Sequence, residues 1–300
     1  MNAFEVPEVD YDQYTNRQLA AVPLAVLGLA ILVLVGWWAM TGAPVTPGID
    51  FTGGSELTVV TTMSQSEVES SFDTEPLSVQ RATQEASTVG DDEDQYIVRF
   101  QSTGAGEQAT DINQLREQAR DAGMELLSSS STAAAFGSDN QTTAVAGVLV
   151  AFLGMSVLVF ALFRTFVPSI AVVISAFSDI VIPLAAMNLL NIKLSLGTVA
   201  ALLMLIGYSV DSDILLNNHI LRRSGSFYES TYRAMQTGVT MTVTSLSAMA
   251  VMAVVASLFN IELMASIGIV LVIGLAADLM NTYMLNLSLL RWYKFEGVSR

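Results

Sequence analysis

Six runs of mostly apolar residues, at 20–40, 142–163, 166–190, 194–221, 238–259 and 261–290, limit what this chain can fold into more sharply than any other feature. A helix needs about 20 such residues to cross about 30 Å of hydrocarbon. Inside that hydrocarbon every backbone N–H and C=O must find its partner within the protein, which a helix achieves. The mean hydropathy of +0.52 and the 52% hydrophobic content agree with a membrane class. The expected fold is a polytopic α-helical membrane protein with six transmembrane helices. The first run is expected to be retained. Glu5, Glu8, Asp10 and Asp12 precede it against one Arg17, which is not the basic leader of a signal peptide. The last run is longer than a bilayer needs and should tilt or project. The chain has no cysteine, which excludes disulfides and thiol chemistry.

Short cytoplasmic loops carry the excess of Lys and Arg. Arg17, Arg164, Arg222, Arg223, Arg233, Arg291, Lys294 and Arg300 fall on one side if both termini are cytoplasmic, and only Lys193 falls in a loop on the other. The expected layout is a cytoplasmic segment 1–19, a first helix 20–40, an extracytoplasmic domain 41–141, helices two to six within 142–290, and a cytoplasmic tail 291–300.

Residues 41–141 alternate strand and helix signals. ELTVVTT (56–62) is a β-branched strand; Ser64 and Glu67 then form a capping box for a short helix with Val68 and Phe72 on one face. PLSVQRAT (76–83) is a strand, DDED (91–94) a turn, and YIVRFQS (96–102) a strand. The helix expected over 107–123 has an apolar face of Ile112, Leu115 and Ala119 and stops at Gly123; MELLSSS (124–130) is the last strand. The order β-α-β-β-α-β is a ferredoxin-like unit. Residues 42–141 hold 17 of the 28 acidic residues and four Arg, and the whole chain has two Lys and a net charge of −15. Self-repulsion of that size strains a compact state unless salt screens it. The composition points to very high salt, as in a halophilic archaeon, and no nucleic-acid partner is expected.

Segment 201–220, ALLMLIGYSVDSDILLNNHI, begins as a membrane helix and then places Asp211, Asp213, Asn217, Asn218 and His219 within nine residues. A carboxylate at the bilayer centre costs roughly 2.5–3.5 kcal/mol on insertion scales. At about 100° per residue, Asp211 and Asp213 lie about 160° apart. Asp211 lines up with Gly207 and Asn218, and Asp213 with Ser209 and Asn217. Neither stripe can face lipid cheaply. One is expected to face the chain's own bundle, where Asp179 and Asp278, with Asn281 three residues on, are candidate neighbours. The other is expected to face a partner membrane protein. Carboxyls that take up and release protons suit coupling to a proton gradient; hydrogen-bonded Asp fixing helix packing is the competing reading. His219 is expected at the membrane interface, and Gly207, Gly268 and Gly274 are expected to permit close helix packing.

Directly after the first run stands PGIDFTGGSELTV (47–59), which reads locally as a turn launching a strand. Within a six-span layout, its Gly48, Ile49, Asp50, Phe51, Thr52, Gly53 and Gly54 resemble the GIDFTGG motif of the SecF family, a branch of the SecDF proteins related to the RND superfamily. AFSDIVIPL (176–184) is similar to the family's HDV segment, with Asp179 on its Asp and Ser178 where His is common. VAALLMLIGYSV (199–210) is similar to the start of its fourth span. The resemblance implies a ferredoxin-like exported domain and a SecD partner. It also implies an accessory role in helping an exported polypeptide leave the SecYE translocon, coupled to the proton or ion gradient. It implies no enzymatic activity, cofactor or metal. Two positions depart from the bacterial pattern: the Asp of GYSxND falls on Ser212, and an Arg early in span five falls on Thr240. Alternatives are an RND-like small-molecule transporter subunit and a non-coupling structural scaffold. An intramembrane aspartyl protease would need GxGD, yet Val210 precedes Asp211 and Ala277 precedes Asp278.

Overall fold

The computed structural model describes residues 9–82, 94–101, 112–132, 134–222, 226–259 and 261–297. Its helices and strands follow in the order α1 (Asn16–Thr41), α2 (Ile49–Thr52), β1 (Gly54–Thr61), α3 (Gln65–Ser70), β2 (Ser78–Ala82), β3 (Asp94–Gln101), α4 (Ile112–Asp121), β4 (Glu125–Thr132), α5 (Ala134–Phe163), α6 (Phe166–Leu189), α7 (Leu196–Arg222), α8 (Phe227–Leu258) and α9 (Glu262–Met280). A π-helical turn, Asn281–Asn286, continues α9 into α10 (Leu287–Trp292). Among the described residues six helices are long and apolar enough to cross a membrane, α1, α5, α6, α7, α8 and the α9–α10 rod, as expected of the fold class. The last, Leu263–Phe295, runs to 33 residues.

The small domain between α1 and α5 is one antiparallel sheet in the order β2-β3-β1-β4. Alternation decides which face is buried: Leu57 and Val59 of β1 and Tyr96, Val98 and Phe100 of β3 point inward against Val68 and Phe72 and against Leu115 and Ala119. The opposite face is polar, with Arg99 Nε donating to Glu56 Oε2 at 2.7 Å. The Ser64–Glu67 capping box starts α3, and the Gly123 stop of α4 is in the left-handed conformation at φ 81°. The turn expected at 91–93 and the helix start expected at 107–111 lie outside the described residues.

In the bundle, α6 and α7 are the most buried spans and α5 and α8 the least. The buried carboxyls Asp179, Asp213 and Asp278 lie on α6, α7 and α9. Gly268 lets α9 approach the Ala253 backbone of α8, and Gly274 seats the Leu205 side chain of α7. Gly207 differs from expectation: it is exposed and has no neighbour where a Cβ would stand, because it shares the outward face of α7 with Asp211.

Candidate functional site

Two places gather the residues that the sequence singles out. The first is the joint between the small domain and the bundle. The GIDFTGG segment does more than turn the chain. Gly48 N–H donates to Leu194 O and Leu194 N–H to Thr46 O, both at 2.8 Å, so the segment is laced to the α6–α7 loop. The Asp50 side chain then reaches α7: its Oδ2 accepts from Leu196 N at 3.0 Å, the first residue of that helix. A carboxylate there is favourable because the first turn presents N–H groups without helical partners and the positive end of the helix dipole. Asn140 Nδ2 of α5 donates to Asp50 O at 3.2 Å. Phe51 is buried, and the Thr52 hydroxyl donates to Gly48 O at 3.2 Å. Ile49 opens the α2 turn, closed by Gly53 N–H donating to Ile49 O at 3.0 Å. Gly54 is required by close approach, because a Cβ there would run into the Phe100 carbonyl.

The second place is a cluster of carboxyls among α6, α7 and α9. Asp179, Asp213 and Asp278 are at most 1% exposed. Asp179 accepts from Ser209 Oγ and from Asn281 Nδ2, each at 2.6 Å. Asp213 Oδ1 accepts from Thr282 Oγ1 at 2.9 Å and from Asn286 Nδ2 at 2.7 Å. Ser212 Oγ lies 2.8 and 2.9 Å from the two oxygens of Asp278. Thr282 Oγ1 is also 3.3 Å from Asp278 Oδ1, so one hydroxyl stands between two carboxyls. Pro183 sits four residues after Asp179 on α6 and cannot donate the helical hydrogen bond to its carbonyl. Several buried polar atoms around the cluster have no protein partner: Asp213 Oδ2, Ser175 Oγ, Ser178 Oγ, Asn281 Oδ1 and Asn286 Oδ1.

No Lys or Arg occurs in α6, in α7 before Arg222, or in the α9–α10 rod before Arg291. Three anions there would repel one another in a low-dielectric interior with no cation to compensate. Among the described residues no group of three or more acidic or His side chains is arranged to hold a metal ion. Carboxyls set among hydroxyl and amide groups in this way can hold a hydrogen-bonded packing or share protons.

The pairing of Asp179 and Asp278 with the Ser209–Asp213 stripe agrees with the helical-face reading. Asn217, on the same stripe, is buried and donates from Nδ2 to Pro168 O at 3.3 Å. Asp211 and Asn218 are on the other face and exposed. His219 is 9% exposed, with Nδ1 2.8 Å from Leu215 O. Sequence reasoning does not single out Thr282 and Asn286, and it marks Ser212 only as the position where the family's Asp falls. The 278-282-286 spacing is a helical-face signal that could have found the first two. Its i+3 spacing already sets Asn281 beside Asp278; what a regular helix would not give is Asn281 and Asn286 on one face. Residues i and i+5 are about 140° apart on an α-helix. The π-helical turn Asn281–Asn286 hydrogen-bonds i to i+5 and so stacks Asn281 near Asn286.

A six-span helical membrane protein with a ferredoxin-like insert after its first span and carboxyls buried among its inner helices is a defined architecture among membrane transport proteins. The family described as "Protein export membrane protein SecD/SecF, C-terminal" matches residues 112–296, and the "SecD/SecF GG Motif" matches residues 38–65. Relatives named protein-export membrane protein SecF are 63% identical in Haloferax volcanii and 61% identical in Haloquadratum walsbyi, each over 100% of both chains. A relative of the same name in Pyrococcus furiosus is 37% identical over 94% of this chain and 93% of its own. The crystal structure of SecDF, a translocon-associated membrane protein from Thermus thermophilus, has the same fold with a TM-score of 0.68 at 18% identity. It matches 96% of this chain, which spans only 39% of that longer one. This chain belongs to the SecD/SecF family of protein-export membrane proteins. The haloarchaeal relatives agree with the high-salt reading of its charge.

Proposed function

We propose that this chain is a non-enzymatic accessory subunit of protein export that works with a SecD-like membrane partner beside the SecYE channel. It assists an exported polypeptide across the membrane. The observation that carries the role is full-length similarity, at 61–63% identity, to proteins named for protein export. Both termini lie in the cytoplasm and residues 41–141 outside it, in keeping with eight basic residues on one side against Lys193 on the other.

Coupling to the proton gradient passes through Asp179, Asp213 and Asp278. Support comes from their burial without a cation and from the unspent polar atoms beside them, which give a proton places to go. Asp211 and Asn218 form the contact with the SecD-like partner, since an exposed carboxylate midway along a spanning helix cannot rest against lipid. Asn keeps the size and most hydrogen bonding of Asp but cannot titrate. Asp213→Asn is therefore expected to assemble normally and lose the gradient-dependent part of export. Asp211→Asn is expected to weaken copurification with the partner. Export of a signal-bearing reporter into vesicles, with and without a proton gradient, measures the first. If Asp213→Asn keeps the full gradient-dependent rate, the cluster is a scaffold.

A further inference from the structure

At the opposite end of the bundle from the small domain, the start of α1 and the end of the sixth span enclose a cleft of ≈ 840 Å³. Arg17, Arg291, Tyr228, Trp292 and Phe295 line it. Arg17 makes no hydrogen bond or ion pair among the described residues, although it is one of only 13 basic residues in a chain of net charge −15. Arg291 is held in place. Its Nη1 donates to Tyr11 O at 3.0 Å and to Tyr14 O at 2.8 Å, and its guanidinium lies 5.8 Å from the Tyr228 ring centre. Those bonds use one nitrogen and leave Nε and Nη2 to point elsewhere. The N-terminus of α1, a 26-residue helix, opens on the same cleft through Thr15 and Asn16. The Asn16 side-chain oxygen is buried without a partner.

We infer that this cleft binds the phosphate headgroup of an anionic membrane lipid. The two guanidiniums and the N-terminus of α1 supply donors for a phosphate. The walls fix the source of that phosphate. Trp292 is 44% exposed and Phe295 56%, at the end of the sixth candidate span and beside the start of the first. Aromatic side chains at that level mark the lipid headgroup zone, and basic pockets between spanning helices hold anionic headgroups. Two described carboxylates lie near the cleft residues in sequence: Glu229 pairs with Arg233, Asp10 accepts from Gln13 Nε2 at 2.9 Å, and neither lines the cleft. Occupancy would fasten α1 to the end of the rod that carries Asp278, Thr282 and Asn286.

Native mass spectrometry of the full chain, titrated with dioleoyl phosphatidylglycerol, dioleoyl phosphatidylcholine or inorganic phosphate, tests this. Wild type should retain phosphatidylglycerol in preference to phosphatidylcholine. Arg17→Gln should weaken phosphatidylglycerol alone by about fivefold, which is about 1 kcal/mol for one cation near the membrane surface. Arg17→Lys should keep most of the preference. Arg291→Gln should act similarly if it folds; Arg17, which makes no hydrogen bond or ion pair among the described residues, decides the matter if it does not. Equal retention of the two lipids by wild type, or no effect of Arg17→Gln, would overturn the site. Displacement of the lipid by inorganic phosphate would make it a free-anion site and overturn the lipid assignment.

Discussion

Replacing Asp50 by Ala should loosen the first turn of α7 while leaving the rest of the protein in place. Three N–H groups of that turn have acceptors: Leu196 uses Asp50 Oδ2, Thr198 uses Ser195 Oγ at 3.2 Å, and Val199 uses Ser195 O at 3.0 Å. Ala removes the first acceptor and its charge together. Losing a capping oxygen costs about 0.5–2 kcal/mol, and the charge at a helix N-terminus accounts for about 0.3–1 kcal/mol. The expected loss is about 1–2 kcal/mol, or a roughly 5- to 30-fold rise in local opening. Asp50→Asn keeps an acceptor and should cost only the charge contribution, about two- to fivefold. Backbone lacing through Gly48, Leu194 and Asn140 does not depend on the carboxylate, so β1 and α5 should be unaffected. Hydrogen exchange read by mass spectrometry on peptides covering 195–201, against peptides from β3, measures the difference in the purified protein. Identical exchange of 195–201 in wild type and Asp50→Ala would refute the capping role. So would equal loss of protection in β3, which would mean global unfolding instead.

Three further outcomes follow from the geometry. Gly137→Ala should destabilise the joint by on the order of 1–3 kcal/mol, since the added Cβ would stand 2.7 Å from Gly53 N and 2.8 Å from the Phe51 carbonyl, and thermal unfolding reads it. Ser64 N–H and hydroxyl donate to Glu67 and hold its carboxyl below the ordinary 4.5, so its contribution to α3 is present above 4.5 and lost as pH falls through the lower native value. Glu67→Gln should abolish that pH dependence in exchange of the α3 amides. The unfolding midpoint of the whole chain should rise between about 0.1 M and about 3 M potassium chloride, because screening removes the self-repulsion of a −15 chain; equal midpoints would sink that reading.

The sequence alone determined the six spans, the insert after the first and its strand–helix order. Hydrocarbon thickness and backbone hydrogen bonding leave a long apolar run no other structure, and the periods of 2 and 3.6 residues sort the rest. It also divided α7 into two polar faces, since Asp211 and Asp213 cannot share one. Only the tertiary structure decided which face is inside. That choice depends on where Asn281, Thr282 and Asn286 stand across the interface, and no spacing within α7 records it. Asn281 and Asn286 together show the limit most clearly. A regular α-helix would turn them about 140° apart, and the π-helical turn brings both to the carboxyls. Asp50 is the same case at longer range. Its motif was legible at once, but its bond to Leu196 joins residues 146 apart in sequence, a contact that exists because the α6–α7 loop folds back onto the exit of α1.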